Sequence, residues 1–314
     1  MSLDTPVVLL LYHRPALLRR VFAAVAEQQP RELLLVADGP KDDADAARCA
    51  EARAVVEDVA WPCTVRRLYA ESNLGLRLRV SSGLDWVFEQ VEEAIILEDD
   101  CVPDPSFFRF CQTLLERYGD DERVMEIGGG NFQLGRRRTT HSYYFSAYCC
   151  VYGWATWRRA WRHYDLHIRR WPELRSSGLL ESVCGDGVEV DYWRRVFDEV
   201  YDGRMASTWD YQWLLALWSQ HGLSVVPEVN LVSNIGFGPD ASHTKWLEAP
   251  EAALPTGRMD ELDHPLAVWR NRDADRFLFD AIIGGSRLRG VAGFLSRVRA
   301  AVRWHIGRPR AEVR

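Results

Sequence analysis

Residues 94–105 read AIILEDDCVPDP, an apolar run that ends in three consecutive acids and a proline-containing turn. The run has the length of a short buried strand, and the turn residues mark where that strand stops. Three adjacent carboxylates repel one another unless a cation joins them. Hard divalent ions such as Mg²⁺ or Mn²⁺ bind through one or two carboxylates together with substrate phosphates. Glu98, Asp99 and Asp100 therefore predict a metal-assisted site at the end of a strand.

Three further apolar runs precede this stretch, and helical patterns separate them. The predicted strands are residues 7–12, 33–37, 64–69 and 94–97, and the predicted helices are residues 15–28, 43–59 and 76–90. Continuous apolar strands that alternate with helices are typical of a parallel sheet covered on both faces. Ligands of such sheets bind beyond the carboxyl ends of the strands. Arg14 follows the first strand and Asp38 follows the second, so we expect both beside the acidic triplet.

The second half of the sequence is less regular and rich in tryptophan. Its predicted strands are residues 125–128, 143–149 and 223–226, and its predicted helices are residues 158–164, 189–201 and 210–220. Eight of the thirteen tryptophans lie between Trp154 and Trp218. They predict either packing of helices onto a core or the walls of a sugar pocket, since an indole ring covers the apolar face of a hexose.

Asp210 begins the last of these helices and directly follows Trp209. An acid in the first turn of a helix is favoured by the helix dipole, which gives Asp210 a purely structural interpretation. The functional interpretation is a general base that takes a proton from an attacking hydroxyl. Spacing alone leaves both interpretations open.

The last thirty residues carry eight arginines against one acid, Glu312. Apolar residues recur at helical spacing from Leu288 to Val302, which predicts a basic amphipathic helix. Two interpretations stay open. The helix packs on its own domain with a solvated arginine face, or it contacts the anionic inner face of a membrane.

Composition excludes several classes of protein. A net charge of −6 argues against a nucleic-acid binder. No run approaches the ~20 apolar residues of a membrane span, and the N-terminus lacks the basic region of a signal peptide. The seven cysteines contain no CxxC pair, which favours reduced thiols. We therefore expect a cytoplasmic protein, in peripheral contact with the inner membrane if its tail binds there.

The ordered set of motifs resembles a known group of enzymes. The motifs are Arg14, Asp38, Glu98-Asp99-Asp100, Gly153-Trp154, Trp209-Asp210, and the run from Ser233 to Gly238 with Ser242-His243. Over residues 6–245 their order is similar to that of the N-acetylglucosaminyltransferase I family. The chain looks closer still to bacterial family 2-like glycosyltransferases, and all of these are inverting enzymes of the GT-A type.

The resemblance implies a fold and an activity. The fold is α/β, with a Rossmann-like, mixed and mostly parallel sheet flanked by helices. Residues 1–250 would form the GT-A domain, with 1–100 as its nucleotide-binding half and 101–250 as its acceptor-binding half, and residues 251–314 would form a linker and the basic helix. The activity is metal-dependent, inverting transfer of a sugar from a nucleotide sugar, with UDP favoured. The acceptor would be a hydroxyl of a glycan, a lipid-linked glycan or a small molecule in bacterial cell-surface glycan biosynthesis.

Four residues of the first half receive donor-binding roles from the resemblance, and a fifth receives a metal-binding role. Arg14 and Asp38 would hold the nucleobase and its ribose. Glu98 would bind a hydroxyl of the donor sugar, and Asp99 would contact the ribose or the sugar. Asp100 would be the direct protein ligand of Mn²⁺ or Mg²⁺.

Three residues of the second half complete the implied site. Asp210 would be the catalytic base, and Trp209 would lie beside the donor or acceptor sugar. His243 would lie on a loop that closes over the diphosphate.

Two other classes of protein share part of this pattern. A sugar-phosphate nucleotidyltransferase has the same kind of sheet and metal-binding acids, but its first strand is followed by a glycine-rich, basic loop that activates a triphosphate. Here that place reads Tyr12-His13-Arg14-Pro15, without glycine, so this alternative ranks second. A non-enzymatic, membrane-associated protein would depend on the basic tail and would not need polar groups at three strand ends.

Overall fold

A computed structural model of the protein describes residues 3–237 and 252–290. The strands are β1 (Val7–Leu11), β2 (Glu32–Ala37), β3 (Thr64–Tyr69), β4 (Glu93–Glu98), β5 (Cys101–Pro103), β6 (Val124–Gly128), β7 (Tyr143–Ser146), β8 (Trp154–Trp157), β9 (Leu223–Pro227) and β10 (Val232–Asn234). The helices are α1 (Pro15–Gln28), α2 (Asp43–Val55), α3 (Leu76–Gln90), α4 (Pro105–Arg117), α5 (Arg158–Trp161), α6 (Trp171–Ser176), α7 (Leu179–Val183), α8 (Gly187–Tyr201), α9 (Asp210–Ser219) and α10 (Arg272–Leu278). A π-helical turn, Phe279–Ile283, follows α10.

Eight of these strands form one sheet in the order β3-β2-β1-β4-β8-β6-β9-β7. β1 is central and runs parallel to both β2 and β4. β8 lies antiparallel between β4 and β6, and β7 is an antiparallel edge strand. The predicted Rossmann-like, mixed and mostly parallel sheet flanked by helices is therefore confirmed.

Both faces of β1 are buried, because successive side chains of a strand point to opposite sides of the sheet. Val8 and Leu10 pack into a core with α3 and the tryptophan-rich second half. Val7, Leu9 and Leu11 pack into a second core with α1 and α4. A strand apolar at every position belongs between two layers of helices.

Three short strands, β5, β8 and β10, were not predicted. Residues 101–105 were expected to be a turn, but β5 pairs antiparallel with β10, more than a hundred residues further along the chain. β8 inserts between β4 and β6 with all four residues buried. Strands of three or four residues carry little periodicity of their own, so only their distant partners define them.

A buried acid orients α9 on the sheet. Glu126 on β6 is fully buried and accepts hydrogen bonds from the amide of Cys150, the indole of Trp213 and the hydroxyl of Ser224. Burial raises the pKa of Glu126, and these three donors oppose that rise. Because Trp213 lies on α9, the bond to Glu126 fixes the position of the helix start at Asp210.

The tryptophan cluster is mainly core. All eight tryptophans between residues 154 and 218 are buried, and several stack or tilt against one another, as Trp154 does with Trp161 and Trp213. Core packing is therefore the correct interpretation for most of them. Trp209 is the member of this cluster that also lines the cavity described below.

The segment from residue 252 to 290 packs against the sheet. The buried carboxylate of Asp275 forms an ion pair with the partly buried Arg270, and it also accepts hydrogen bonds from the hydroxyl of Ser146 and the amide of Ala147. Near the end of the segment Leu288 packs against the core, and the guanidinium of Arg289 bonds to Asp186 and Asp280. The first turns of the predicted basic helix thus contact their own domain.

No helix in residues 3–237 and 252–290 is long and apolar enough to cross a membrane. Most of the predicted basic helix, residues 291–314, lies outside the described residues. Peripheral membrane contact through that helix stays a prediction.

We expect the buried ion pair of Asp275 to be essential for the stability of the fold. Asp275→Ala should lower the free energy of unfolding by about 3–5 kcal/mol, because it removes the buried acceptor of the Arg270 guanidinium, the Ser146 hydroxyl and the Ala147 amide together. Urea denaturation followed by tryptophan fluorescence measures this. The control is Asp273→Ala on the exposed side of α10, where a change within about 0.5 kcal/mol is expected. Equal stability of the two variants would contradict an anchoring role.

Candidate active site

Arg14 and the acidic triplet meet at the carboxyl ends of β1 and β4. The guanidinium of Arg14 forms ion pairs with Asp99 and, at 2.9 Å, with Asp100. The amide of Tyr12 also donates to Asp99, at 3.4 Å. β1 and β4 are neighbours in register, with Leu10 opposite Glu98, so the residues that follow them come together as predicted.

The pKa values in this group reflect burial and mutual charge. Burial, reinforced by the charges of Asp100 and Asp99, raises the pKa of Glu98. Burial also raises the pKa of Asp99, although the neighbouring Arg14 opposes it. For Arg14 burial lowers the pKa, but the two carboxylates outweigh burial and the net shift is upward. One buried cation therefore balances part of a concentrated negative charge.

Asp38 lies at the end of β2, as predicted, but its oxygens are used within the protein. Its carboxylate accepts hydrogen bonds from the amides of Gly39 and Leu74, both at 2.9 Å, and from the amide of Gly75 at 3.0 Å. The side-chain amide of Asn73 adds a fourth bond, at 3.0 Å. Asp38 thus fixes the turn that opens α3 and also forms part of a cavity wall.

Glycine is required twice at this turn. Gly75 has a φ of +80°, a backbone conformation that other residues rarely adopt. A Cβ added to Gly39 would lie 2.4 Å from the backbone of Ser72. The ends of β2 and β3 can approach this closely only because Gly39 has no side chain.

A cavity of about 220 Å³ lies between this turn and the acids. Its apolar walls come from strand and helix residues such as Leu10, Val36 and Val80. Lys41 and Arg79 also line it, and neither was predicted as a site residue. A signal for Arg79 did exist, since this arginine interrupts the apolar face of α3 in which Leu76, Val80 and Leu84 recur at helical spacing.

A second cavity, of about 360 Å³, adjoins the first. Arg14, Leu76, Glu98 and Ser207 line both cavities and mark their border. Trp209, Asp210 and Asp100 line only the second. Trp209 is itself buried and stacks on Trp154, with ring centroids 5.9 Å apart. The structure therefore brings Asp210 to the same cleft as the acidic triplet, despite more than a hundred intervening residues.

The segment after β10 covers Asp100. The amide of Ile235 donates to the carbonyl of Asp100 at 2.8 Å, and Asn234 accepts from the amide of Gly236 at 2.8 Å. A Cβ on Gly236 would overlap the carboxylate of Asp100, at 2.0 Å from its oxygen. The glycine of this predicted motif thus lets the backbone cross directly over the acid. His243, the last predicted site residue, lies outside the described residues.

Metal binding would need ligands from the substrate. Within residues 3–237 and 252–290, no three histidine, cysteine, aspartate or glutamate side chains converge on a common point. Asp100 and its neighbours could supply one or two carboxylate oxygens, which is the usual protein share of a Mg²⁺ site completed by phosphates. The metal role of Asp100 stays a prediction.

Comparisons with known proteins give a distant structural likeness only. No protein-family model and no curated protein sequence matches the chain. A UDP-glucose pyrophosphorylase complexed with UDP-glucose is 8% identical, with a TM-score of 0.33, and the match covers 51% of this chain and 78% of that one. A cytidylyltransferase from Leptospira borgpetersenii serovar Hardjo-bovis (strain JB197) is 9% identical, also with a TM-score of 0.33, over 63% of this chain and 74% of that one.

The predicted glycosyltransferase activity is contradicted by this result. Both solved structures are nucleotidyl-transferring enzymes, the class that the sequence placed second. The physical reason for the error is that Rossmann-like sheets with acids at a strand end serve both chemistries. At this similarity no residue role is carried over from either structure.

We expect Asp38 to stabilise the protein before any ligand binds. Asp38→Asn should lower the free energy of unfolding of the ligand-free protein by about 1.5–3 kcal/mol, because an amide nitrogen would replace an oxygen that accepts N–H groups. Thermal and urea denaturation measure this. Glu71→Gln, at an exposed position before the same turn, should have little effect. Unchanged stability of the asparagine variant would show that Asp38 acts only on a ligand.

Proposed function

We propose that the protein is a metal-dependent nucleotidyltransferase that joins a nucleoside triphosphate to a sugar 1-phosphate. The observation that carries this proposal is the pair of adjoining cavities, which meet at Arg14 and Glu98. The smaller cavity, of about 220 Å³, has the apolar walls that suit a nucleoside. The larger cavity, of about 360 Å³, has the polar and aromatic lining of a sugar site. A nucleotide sugar, as product, would span both with its diphosphate at the acidic triplet.

The charges at the border of the cavities favour reaction at phosphate. Arg14 comes from the end of β1, and Lys41 from the loop after β2. The absence of a glycine-rich basic loop after the first strand ranked this class second. Three separate segments nevertheless bring cations to the smaller cavity, with Arg79 of α3 as the third, and this weakens that objection. Arginine and lysine both bind phosphate, arginine through its planar fork and lysine as a point charge.

Mn²⁺ or Mg²⁺ bound through Asp100 would neutralise charge on the polyphosphate. Arg14, which bonds to Asp99 and Asp100 in the ligand-free protein, would then be available to a phosphate oxygen. Asp99 would add negative charge beside the bound cation. Arg14 would thus exchange its carboxylate partners for a substrate phosphate, and Asp100 would exchange Arg14 for the cation.

The reaction needs no general base. A phosphate oxygen of the sugar 1-phosphate attacks the α-phosphorus of the triphosphate, and the bond to pyrophosphate breaks as the new anhydride bond forms. A phosphate monoester has a second pKa of about 6, so its oxygen is already ionised at neutral pH. Arg14 and Lys41 would orient the triphosphate for in-line attack, because phosphoryl transfer depends on positioning and on charge stabilisation.

Asp210 receives a different role from the one first predicted. A base for a hydroxyl nucleophile has no function in this reaction. In the second cavity its carboxylate would instead accept hydrogen bonds from sugar hydroxyls, beside Trp209. Carboxylates are strong acceptors for such bonds, and the buried rings around Trp209 would hold the sugar in a fixed orientation.

We expect the purified protein to release pyrophosphate from UTP and glucose 1-phosphate, or another sugar 1-phosphate, with Mg²⁺ or Mn²⁺. Asp100→Asn should lower kcat/KM by about 10²–10³, the usual loss when one charge-stabilising group is removed. A coupled pyrophosphate assay over a panel of triphosphates and sugar 1-phosphates measures this. Asp120→Asn, on an exposed turn, is the matched control. Release of a nucleoside diphosphate from nucleotide sugars, without pyrophosphate chemistry, would contradict the proposal.

We expect Asp210→Asn to act mainly on binding of the sugar phosphate. Loss of a charge-assisted hydrogen bond should raise its KM about tenfold, while kcat and the KM of the triphosphate change little. Steady-state kinetics with each substrate varied in turn separates these parameters. A fall in kcat at unchanged KM would instead assign Asp210 to the chemical step.

A further inference from the structure

Two large apolar side chains project from the segment that precedes α10. Leu266 is 92% exposed and Trp269 is 60% exposed, the two highest values among the large exposed hydrophobic residues in the described part of the chain. A single exposed apolar residue is common on a protein surface and needs no explanation. Two of them in one short loop form contiguous apolar surface, which marks contact with a partner.

The loop that carries these side chains is fixed to the edge strand β7 at both ends. The amide of Ser142 donates to the carbonyl of Asp263 at 2.9 Å, and the amide of Asn271 donates to the carbonyl of Phe145 at 2.8 Å. The loop from 263 to 271 is much longer than the strand from 142 to 145 that it accompanies. It therefore arches away from β7, and the apolar side chains project from a loop with fixed ends.

A groove of about 580 Å³ lies between this arch and β7. The arch contributes Pro265 and Trp269 to its lining, and the segment before β7 contributes Arg137, Arg138 and Thr139. Guanidinium groups and hydroxyls both donate hydrogen bonds to phosphate oxygens. The groove thus combines phosphate donors with an exposed indole.

Two arginines on this face have no carboxylate partner among the described residues. The guanidinium carbons of Arg136 and Arg138 lie 4.7 Å and 5.0 Å from the ring centroid of Phe277 on α10. Neighbouring acids are engaged elsewhere, Glu228 with Arg137 at 3.5 Å and Asp263 with His141 at 3.0 Å. The charges of Arg136 and Arg138 are therefore left for an anion from outside.

The patch is too small for a stable contact with a second protein. Its two apolar side chains offer roughly 300 Å², whereas a stable interface needs about 800 Å² on each partner. A membrane surface has no such requirement, because each inserted side chain and each nearby cation adds to the binding separately. Apolar tips beside arginines match the order of a bilayer surface, in which acyl chains lie beneath anionic headgroups.

We propose that this face docks on an anionic phospholipid surface. Leu266 would enter the boundary of the acyl chains, and Trp269 would lie at the level of the headgroups, where tryptophan is enriched. Arg136 and Arg138 would contact the lipid phosphates. The contact uses the folded loops on either side of the groove and is separate from the basic tail.

The docking face is remote from the candidate active site. β7 lies five strand positions from β1 in the sheet, which corresponds to about 24 Å at the usual spacing of strands. A docked protein would therefore keep its cleft open to soluble substrates. The inference is independent of the proposed function, since it concerns another surface.

The test is co-sedimentation of the full chain with vesicles of phosphatidylcholine, with and without phosphatidylglycerol. Wild-type protein should bind the mixed vesicles more tightly, and added salt should weaken that binding. Leu266→Ser should lower the partition coefficient about tenfold, because the apolar contact is lost. Arg136→Gln should lower it about fivefold on mixed vesicles and leave it unchanged on phosphatidylcholine alone.

The matched control is Tyr201→Ser, which removes another exposed apolar ring. Tyr201 is 47% exposed at the end of α8, and its variant should bind vesicles as the wild-type protein does. Leu266→Ser should keep the wild-type melting temperature, because the replaced side chain is almost fully exposed. Its turnover of soluble substrates should also be unchanged.

Brominated acyl chains distinguish insertion from adsorption. They quench tryptophans that reach the acyl region, and Trp269 is the one exposed tryptophan among the described residues. Trp269→Phe keeps an apolar ring and should still bind, but its emission should be quenched less than that of the wild-type protein. Equal quenching of the two proteins would overturn the inference.

Four further outcomes would also overturn it. The first two are absence of vesicle binding by the wild-type protein and undiminished binding by Leu266→Ser. A lower melting temperature of Leu266→Ser would show that the side chain is covered within its own chain. Self-association of the wild-type protein that Leu266→Ser abolishes would make a second copy the partner.

Discussion

The candidate site depends on the bond between Arg14 and the carboxylates of Asp99 and Asp100. Adjacent acids at the end of a buried strand repel one another, and their desolvation would oppose folding if no cation were present. The parallel register of β1 and β4 places the residue after one strand beside the residues after the other. The ion pair therefore follows from the sheet, and it keeps the acids concentrated at one edge where a ligand can reach them.

The same constraint accounts for the arrangement around the acids. The segment after β10 crosses Asp100 through backbone bonds, and Gly236 makes that crossing sterically possible. At the end of β2, Asp38 fixes the turn that begins α3, and Arg79 of α3 lines the smaller cavity. In the second half of the chain, Glu126 holds Trp213 and so determines where α9 presents Asp210. The buried carboxylates of Asp38, Asp100 and Glu126 thus position the cleft. Asp38 and Asp100 also line its cavities, whereas Glu126 lines neither of them.

Glycosyl and nucleotidyl transfer differ in the bond that breaks beside the acids. Glycosyl transfer breaks the bond from the sugar carbon to the diphosphate, and nucleotidyl transfer breaks a phosphoanhydride bond. Both reactions involve a nucleotide sugar, as the donor in one and as the product in the other, and both use a cation and suit a sheet with acids at a strand end. A reaction at the sugar carbon requires a base for a hydroxyl, whereas a reaction at phosphorus uses an oxygen that is already ionised. The cationic side chains of the cleft, Arg14 and Lys41, come from separate segments of the sequence. They are the feature that favours reaction at phosphorus.

The elements with strong local patterns were predictable from the sequence alone. The strands near residues 7–12, 33–37, 64–69 and 94–97 and the helices between them are local, because apolar continuity and helical spacing are properties of short segments. Their order also placed Arg14, Asp38 and the acidic triplet at one edge of a sheet, since parallel strands share their carboxyl ends. The pairing of β5 with β10, the insertion of β8 and the approach of Asp210 to Glu98 depend on the packing of the whole fold. Those contacts join residues far apart in the chain. The burial that surrounds Asp38 with its internal partners likewise arises only when the layers pack.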